Sequence, residues 1–122
     1  MTETLTGGCL CGAVRYRLKP GFRMKPYACH CTDCQKRTGS AFSSHMAVME
    51  KDIELAGELD EGHFVQPSGA NSTILGCAKC KARIYAKNDR RPGMVSLRWG
   101  TLDSSRAMSP QAHFWISSKQ PW

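Results

Sequence analysis

Along much of the chain apolar and polar residues alternate one for one, the period of a strand whose two faces meet different surroundings. Val14, Tyr16 and Leu18 alternate with Arg15, Arg17 and Lys19, which predicts a half-exposed strand. Phe42 to Met49 and Thr73 to Cys77 are further candidates. Ala82, Ile84 and Ala86 alternate with Arg83, Tyr85 and Lys87, and Val95, Leu97 and Trp99 alternate with Ser96 and Arg98. His113-Phe114-Trp115-Ile116 can form a last strand. Gly7-Gly8, Pro20-Gly21, Gly39-Ser40, Pro67-Ser68-Gly69 and Pro92-Gly93 punctuate these runs as turns. Helical signals are few. Thr32 is the expected cap of a short turn running through Asp33, Gln35 and Lys36 to Gly39. Met49 to Asp52 and Thr101 to Ser104 have room for one turn each, and none reaches the ~12 residues of a self-supporting helix. The pattern predicts one mainly β domain over residues 1–122, built of small antiparallel sheets with few short helical turns. Phe114, Trp115 and Trp122, with Tyr16 and Phe42, are expected to close its core.

Composition agrees with a folded domain. The 122 residues allow one modest core, and 41% hydrophobic against 22% charged residues is ordinary globular usage. No apolar run approaches the ~18 residues of a membrane helix. The start, Met1-Thr2-Glu3-Thr4-Leu5-Thr6, lacks the basic and apolar stretches of a secretory signal, so a soluble, cytoplasmic protein is expected. The formal net charge of +7 invites an anionic partner. Seven thiolate charges and two divalent ions would bring it to +4, an ordinary value for a soluble domain.

Seven cysteines change the picture. An odd count in closely spaced pairs suits a disulfide framework poorly and suits metal ligation well. They fall into three clusters: Cys9 and Cys11; Cys29, Cys31 and Cys34; Cys77 and Cys80. Four plus three is the natural partition, a closed structural site and an open one. Cys77-Ala78-Lys79-Cys80 has the turn-forming C-x-x-C spacing, and Gly7, Gly8 and Gly12 let the backbone bend around Cys9 and Cys11. In an extended segment Cys29 and Cys31 share a face, His30 points away, and a turn returns Cys34 to the same point. Three thiolates leave the fourth zinc position to water or substrate, and a thiol entering it loses its proton. Two alternatives stand beside this: His30, His45, His63 or His113 closes the second site, or Cys9 and Cys11 pair with Cys29 and Cys31.

Gly7-Gly8-Cys9-Leu10-Cys11-Gly12-Ala13-Val14-Arg15-Tyr16, Cys29-His30-Cys31-x-x-Cys34 and Thr38-Gly39-Ser40 resemble the glutathione-dependent formaldehyde-activating family. So do Gly76-Cys77-x-x-Cys80, Arg91-Pro92-Gly93, Gly100-Thr101-Leu102-Asp103 and the closing Ser118-Lys119-Gln120-Pro121-Trp122. The resemblance implies a β-tent-like fold with two zinc ions per chain: Cys9, Cys11, Cys77 and Cys80 hold the structural ion, and Cys29, Cys31 and Cys34 the catalytic one. It implies a carbon–sulfur lyase condensing formaldehyde with glutathione, hence a small thiol and an aldehyde as partners. Lys36 and Arg37 are candidates to meet a glutathione carboxylate. The family commonly reads Phe-Cys-x-x-Cys-Gly-Ser at the second structural pair; here Gly76 precedes it and Lys81-Ala82 follows, so Lys81 is expected to bear an unusual turn. Another substrate on the same fold is an alternative reading. A non-catalytic zinc module, as the centromere protein V branch suggests, is another. Lys87, Arg90, Arg91 and Arg98, near Tyr85 and Trp99, supply only a faint basic, aromatic face for nucleic acid.

Overall fold

Ten strands, one short α-helix and four single 3-10 turns make up the regular structure of the computed structural model, which describes residues 3–122; Met1 and Thr2, where the stretch read for a secretory signal begins, lie outside the described residues. In chain order the strands are β1 (Leu5–Gly8), β2 (Arg15–Leu18), β3 (Tyr27–Cys29), β4 (Ser43–Met49), β5 (Ile53–Ala56), β6 (Leu59–Val65), β7 (Asn71–Cys77), β8 (Arg83–Asn88), β9 (Met94–Leu97) and β10 (Ala112–Phe114). The helix α1 (Thr32–Thr38) lies between β3 and β4. Strands β1, β2 and β5 form one sheet, and a second runs β10-β3-β4-β9-β8-β7-β6. All pairs are antiparallel except β10 with β3, so one sheet is larger than expected and carries a parallel edge.

The core lies between the two sheets. Val14, just before β2, and Tyr16 and Leu18 on it meet Met46, Val48, Leu75, Val95 and Leu97 on the large sheet. The alternation read from the sequence therefore sorts faces correctly: Arg15 and Arg17 turn outward to pair with Asp103 and Glu54. A bulge at Leu75/Gly76 shifts the β7–β8 register, and the sequence neighbours Ile84 and Tyr85 both reach the core. At Gly76 any added Cβ would stand 2.9 Å from the Ala82 carbonyl oxygen, which is why a side chain does not fit there.

Strand β6 has no periodic signal, because five of its seven residues are exposed; its seven register partners on β7 hold it as an edge. The cap of α1 also differs from the expected one. Cys31, not Thr32, is the N-cap: its backbone is extended and its sulfur accepts from the Cys34 amide at 3.3 Å. The stop is as expected, with Gly39 in the left-handed region at φ 66°.

The C-terminal aromatics do not close the core. Phe114, Trp115 and Trp122 are 46%, 66% and 91% exposed. This segment docks through its main chain instead: the His30 amide donates to the Phe114 carbonyl, and Gln35 Nε2 donates to the Ser118 carbonyl at 2.8 Å. Trp115, left-handed at φ 59°, turns the chain out of β10. Tyr16 is buried, as expected, and Phe42 is half-buried. Among the described residues no helix is long and apolar enough to cross a membrane.

Candidate functional site

All seven cysteines are free, and they gather in two places. The sulfurs of Cys9, Cys11, Cys77 and Cys80 lie within 4.8 Å of one another, so these residues could hold a metal ion. Cys9 precedes the turn into β2 and Cys77 ends β7; the amides of Lys79 and Cys80 donate to the Cys77 sulfur at 3.3 and 3.4 Å, and the Val14 amide donates to the Cys9 sulfur at 3.3 Å. Such amides stabilise thiolates. The Cys9 thiol is drawn down to about 6, by the Val14 amide first and its sulfur neighbours after. Cys11 has an Ala13 amide favouring its thiolate, but Cys9, burial and the other thiols outweigh it and leave Cys11 at about 11. Lys81 closes this knuckle at φ 66°, the unusual turn expected where a glycine is missing.

The second place is the far face of the large sheet. The Cys29 and Cys34 sulfurs and a ring nitrogen of His45 lie within 4.8 Å of one another, and Cys31 Sγ is 3.5 Å from Cys29 Sγ. Strand β3 brings Cys29, the helix cap brings Cys31, the first turn of α1 brings Cys34, and β4 brings His45. The buried thiols share charge unequally. Cys34 falls to about 3, because the Cys29 thiol donates to it first and His45, Ser43 and Cys31 follow; Cys29 is pushed up by the same bond and by burial.

Of the four histidines, His45 alone stands at the thiols. His30 points away, as an extended segment requires, and its Nε2 lies 2.9 Å from His113 Nδ1; His63 lies near Thr73. His45 Nε2 is 3.9 Å from Cys34 Sγ and also touches Ser43 Oγ. Arg98 Nη1 stands against the ring, 2.6 Å from His45 Nδ1 and 3.2 Å from Nε2, and Ser96 Oγ lies 2.5 Å from Nδ1. Nε2 faces Cys34 and Ser43. Burial holds the ring below the usual imidazole range.

Around these groups opens a cleft of about 570 Å³, walled by α1, by Phe64 to Ser68, by Arg98 and by Trp115. Arg37 also lines it, with its guanidinium 3.2 Å over the Phe64 ring; Lys36 does not. The residues read as a faint basic face are divided: Arg98 turns into the cleft, Lys87 pairs with Glu50, and Arg90 and Arg91 are exposed.

Phe64 and Trp115, which line the cleft, and Ser43 and Ser96, which contact His45, carry no chemical signal in the sequence, and Arg98 reads there only as a surface charge. The available signal is positional. Ser96 and Arg98 occupy the polar phase of a run whose apolar residues Val95 and Leu97 are buried, and β9 has neighbours on both sides. On a central strand a polar face that is not solvent is a site.

Residues 4–118 match the family profile described as "Glutathione-dependent formaldehyde-activating enzyme". A Halomonas elongata protein named "Putative glutathione-dependent formaldehyde-activating enzyme" is 22% identical over 135 residues, covering 97% of this chain and 78% of that one. The crystal structure of a Rhodobacter sphaeroides protein superposes with a TM-score of 0.67 at 18% identity, over 89% of this chain and 99% of that one. That last likeness is one of fold.

Proposed function

From the premise that this chain belongs to the glutathione-dependent formaldehyde-activating family, we propose that its cleft joins a small thiol to a small aldehyde. Glutathione and formaldehyde are the pair that the family description names, and the reaction class is that of a carbon–sulfur lyase. The observation carrying this reading is that Cys29, Cys31 and Cys34 all line one open cleft, with Cys31 beside Cys29 and with Cys29, Cys34 and His45 close enough to share a metal ion. Two zinc ions per chain suit these donors. Cys9, Cys11, Cys77 and Cys80 would hold one with four thiolates, and Cys29, Cys31 and Cys34 would hold the other with three. At the second site zinc would supply an open position and lower the pKa of a thiol that reaches it. A reducing cytoplasm keeps all seven thiols available for this.

The residues of the chain then have separable tasks. His45 turns Nε2 toward the Cys34 sulfur, and Ser96 on Nδ1 with Arg98 against the ring holds it in that orientation. Phe64 and Trp115 give the cleft apolar walls, which keep an aldehyde beside the thiol and so supply proximity. The net chemistry forms one carbon–sulfur bond, and the thiol proton ends on the former carbonyl oxygen.

A closed site with His45 as fourth ligand is the competing reading, favoured by its approach to Cys34 and opposed by the Arg98 cation, whose Nη1 lies 3.2 Å from the same nitrogen. Metal content per chain, measured with Cys31→Ser, tests the partition: zinc falling from two ions to one with the fold intact supports it, and loss of both discards it. Exchange NMR of formaldehyde with glutathione tests the reaction. Exchange no faster with the zinc-loaded protein than without it rejects the named pair.

A further inference from the structure

Among the described residues, β6 is the longest strand with an open side: it ends the seven-stranded sheet and pairs only with β7. The other sheet ends are shorter or covered. Strand β10 has three residues and β5 four, and β1 is bridged at Gly7 by Leu102. Two hydrogen bonds at the ends of β6 show which of its main-chain groups are already engaged. The Ala78 amide donates to the Glu58 carbonyl, and the Gln66 amide donates to the Ala70 carbonyl. Both bonds keep the β6–β7 register, in which bonded pairs recur at every second residue. Asp60, Gly62 and Phe64 therefore turn their amides and carbonyls to β7. Leu59, Glu61, His63 and Val65 turn theirs to the open side.

An open edge of this length is a template for another strand, and the side chains of β6 suit a copy of itself. With a two-fold axis at Gly62, Leu59 of one copy faces Val65 of the other, and Glu61 faces His63. Apolar meets apolar and acid meets base, while the outward amides and carbonyls pair. The neighbouring registers that also join outward groups set Glu61 against Glu61 or His63 against His63. Nothing of its own chain crowds the axis, since a Cβ at Gly62 would meet no atom within 4 Å. Charge on the cleft face agrees. Directly opposed residues share a face, so Phe64 stands beside Asp60 of the second copy. Arg37 stacks on the Phe64 ring and forms no ion pair among the described residues. The second copy brings it a carboxylate.

We infer that β6 is the pairing surface for a second copy of this chain, joined antiparallel about Gly62 so that the two large sheets run on as one. Such a dimer is isologous, and each contact occurs twice. It reaches the cleft, because Phe64 on β6 and Gln66 to Ser68 just after it form part of the wall. Holding β6 between two strands steadies that wall, and Asp60 of the second copy stands at its rim beside Arg37. None of this depends on the chemistry proposed for the cleft.

Sedimentation velocity of the zinc-loaded protein tests the pairing. Dimer should accumulate as the chain concentration rises from about 1 to about 500 µM, the range of a small interface. His63→Glu sets two carboxylates against each other at both contacts and should raise the dimer Kd at least about tenfold. Glu61→His removes the acid and should raise it about threefold. Combining the two exchanges acid and base across the axis and should bring Kd back to within about threefold of the wild type. His63→Pro deletes an outward amide that β7 does not use, and should abolish the dimer. Thermal unfolding and zinc content are measured on every variant. Should His63→Pro fail to fold, the charge exchange decides instead. A wild type that stays monomeric throughout overturns the inference. So does a dimer that is indifferent to His63→Glu or survives a folded His63→Pro, because another surface then forms it. A combined variant no tighter than His63→Glu also overturns it, since the register is then wrong. A monomer that accelerates formaldehyde exchange removes the dimer and leaves the reaction standing; a β6 dimer without acceleration does the reverse.

Discussion

At the scale of single residues, His45 decides between an open and a closed thiol site. A ring that only orients Cys34 can be replaced without removing metal, whereas a ligand cannot. His45→Gln should therefore keep the zinc content of the wild type, and exchange between formaldehyde and glutathione should slow by about 10- to 100-fold, the usual effect of removing an outer-shell partner. Loss of one zinc ion in that variant would make His45 a ligand. Gly39 offers a second residue-scale test, independent of metal. It takes φ 66° with open space around its Cα, so Gly39→Ala meets no atom and costs only backbone strain. Urea unfolding should show a loss of about 1 kcal/mol.

At the scale of elements, the central strand β9 joins stability to function through its two phases. Val95 and Leu97 face the core, while Ser96, and Arg98 just beyond the strand, face His45. Leu97 has no exposed surface. Leu97→Ala should cost about 2–5 kcal/mol, the range for a buried leucine leaving a cavity. The small sheet is tied to the rest by a polar cluster: Arg15 and Thr6 both bond Asp103, and they hold its carboxyl at about 2. A carboxyl lowered by folding stabilises the fold above its unfolded pKa near 4, and the contribution is lost as the pH falls toward 2. Wild-type stability should accordingly decline between about pH 4 and pH 2 more steeply than that of Asp103→Asn, as followed by thermal unfolding across that range.

At the scale of the whole molecule, the four-thiol cluster joins residues 66 or more positions apart, since Cys11 and Cys77 sulfurs stand 3.8 Å from each other. A metal there links the turn before β2 to the end of β7, and its binding energy adds to folding energy. Chelation should thus lower the melting temperature of the wild type by much more than that of Cys80→Ser, which has already lost a ligand. Similar shifts in both proteins would deny the cluster a structural role.

Much of this molecule is legible in its sequence. Alternation places Val14, Tyr16 and Leu18 inward because a strand's period is two, whatever it packs against. Cysteine spacing within each cluster and the turn at Gly39 follow from local geometry in the same way, while the left-handed turn at Lys81 is expected from the resemblance, which places a glycine there. The edge strand β6 and the exposed Phe114, Trp115 and Trp122 are not legible, because a residue's burial depends on what lies across from it. Nor are His45 and Arg98, which the sequence holds 53 positions apart and the β4–β9 pairing brings to 2.6 Å. The chain by itself determined the alternating strands, the grouping of the thiols and the mainly β class, all properties of short-range order. Which polar residues face a cleft, and which thiols they stand beside, was decided only when distant strands were laid side by side.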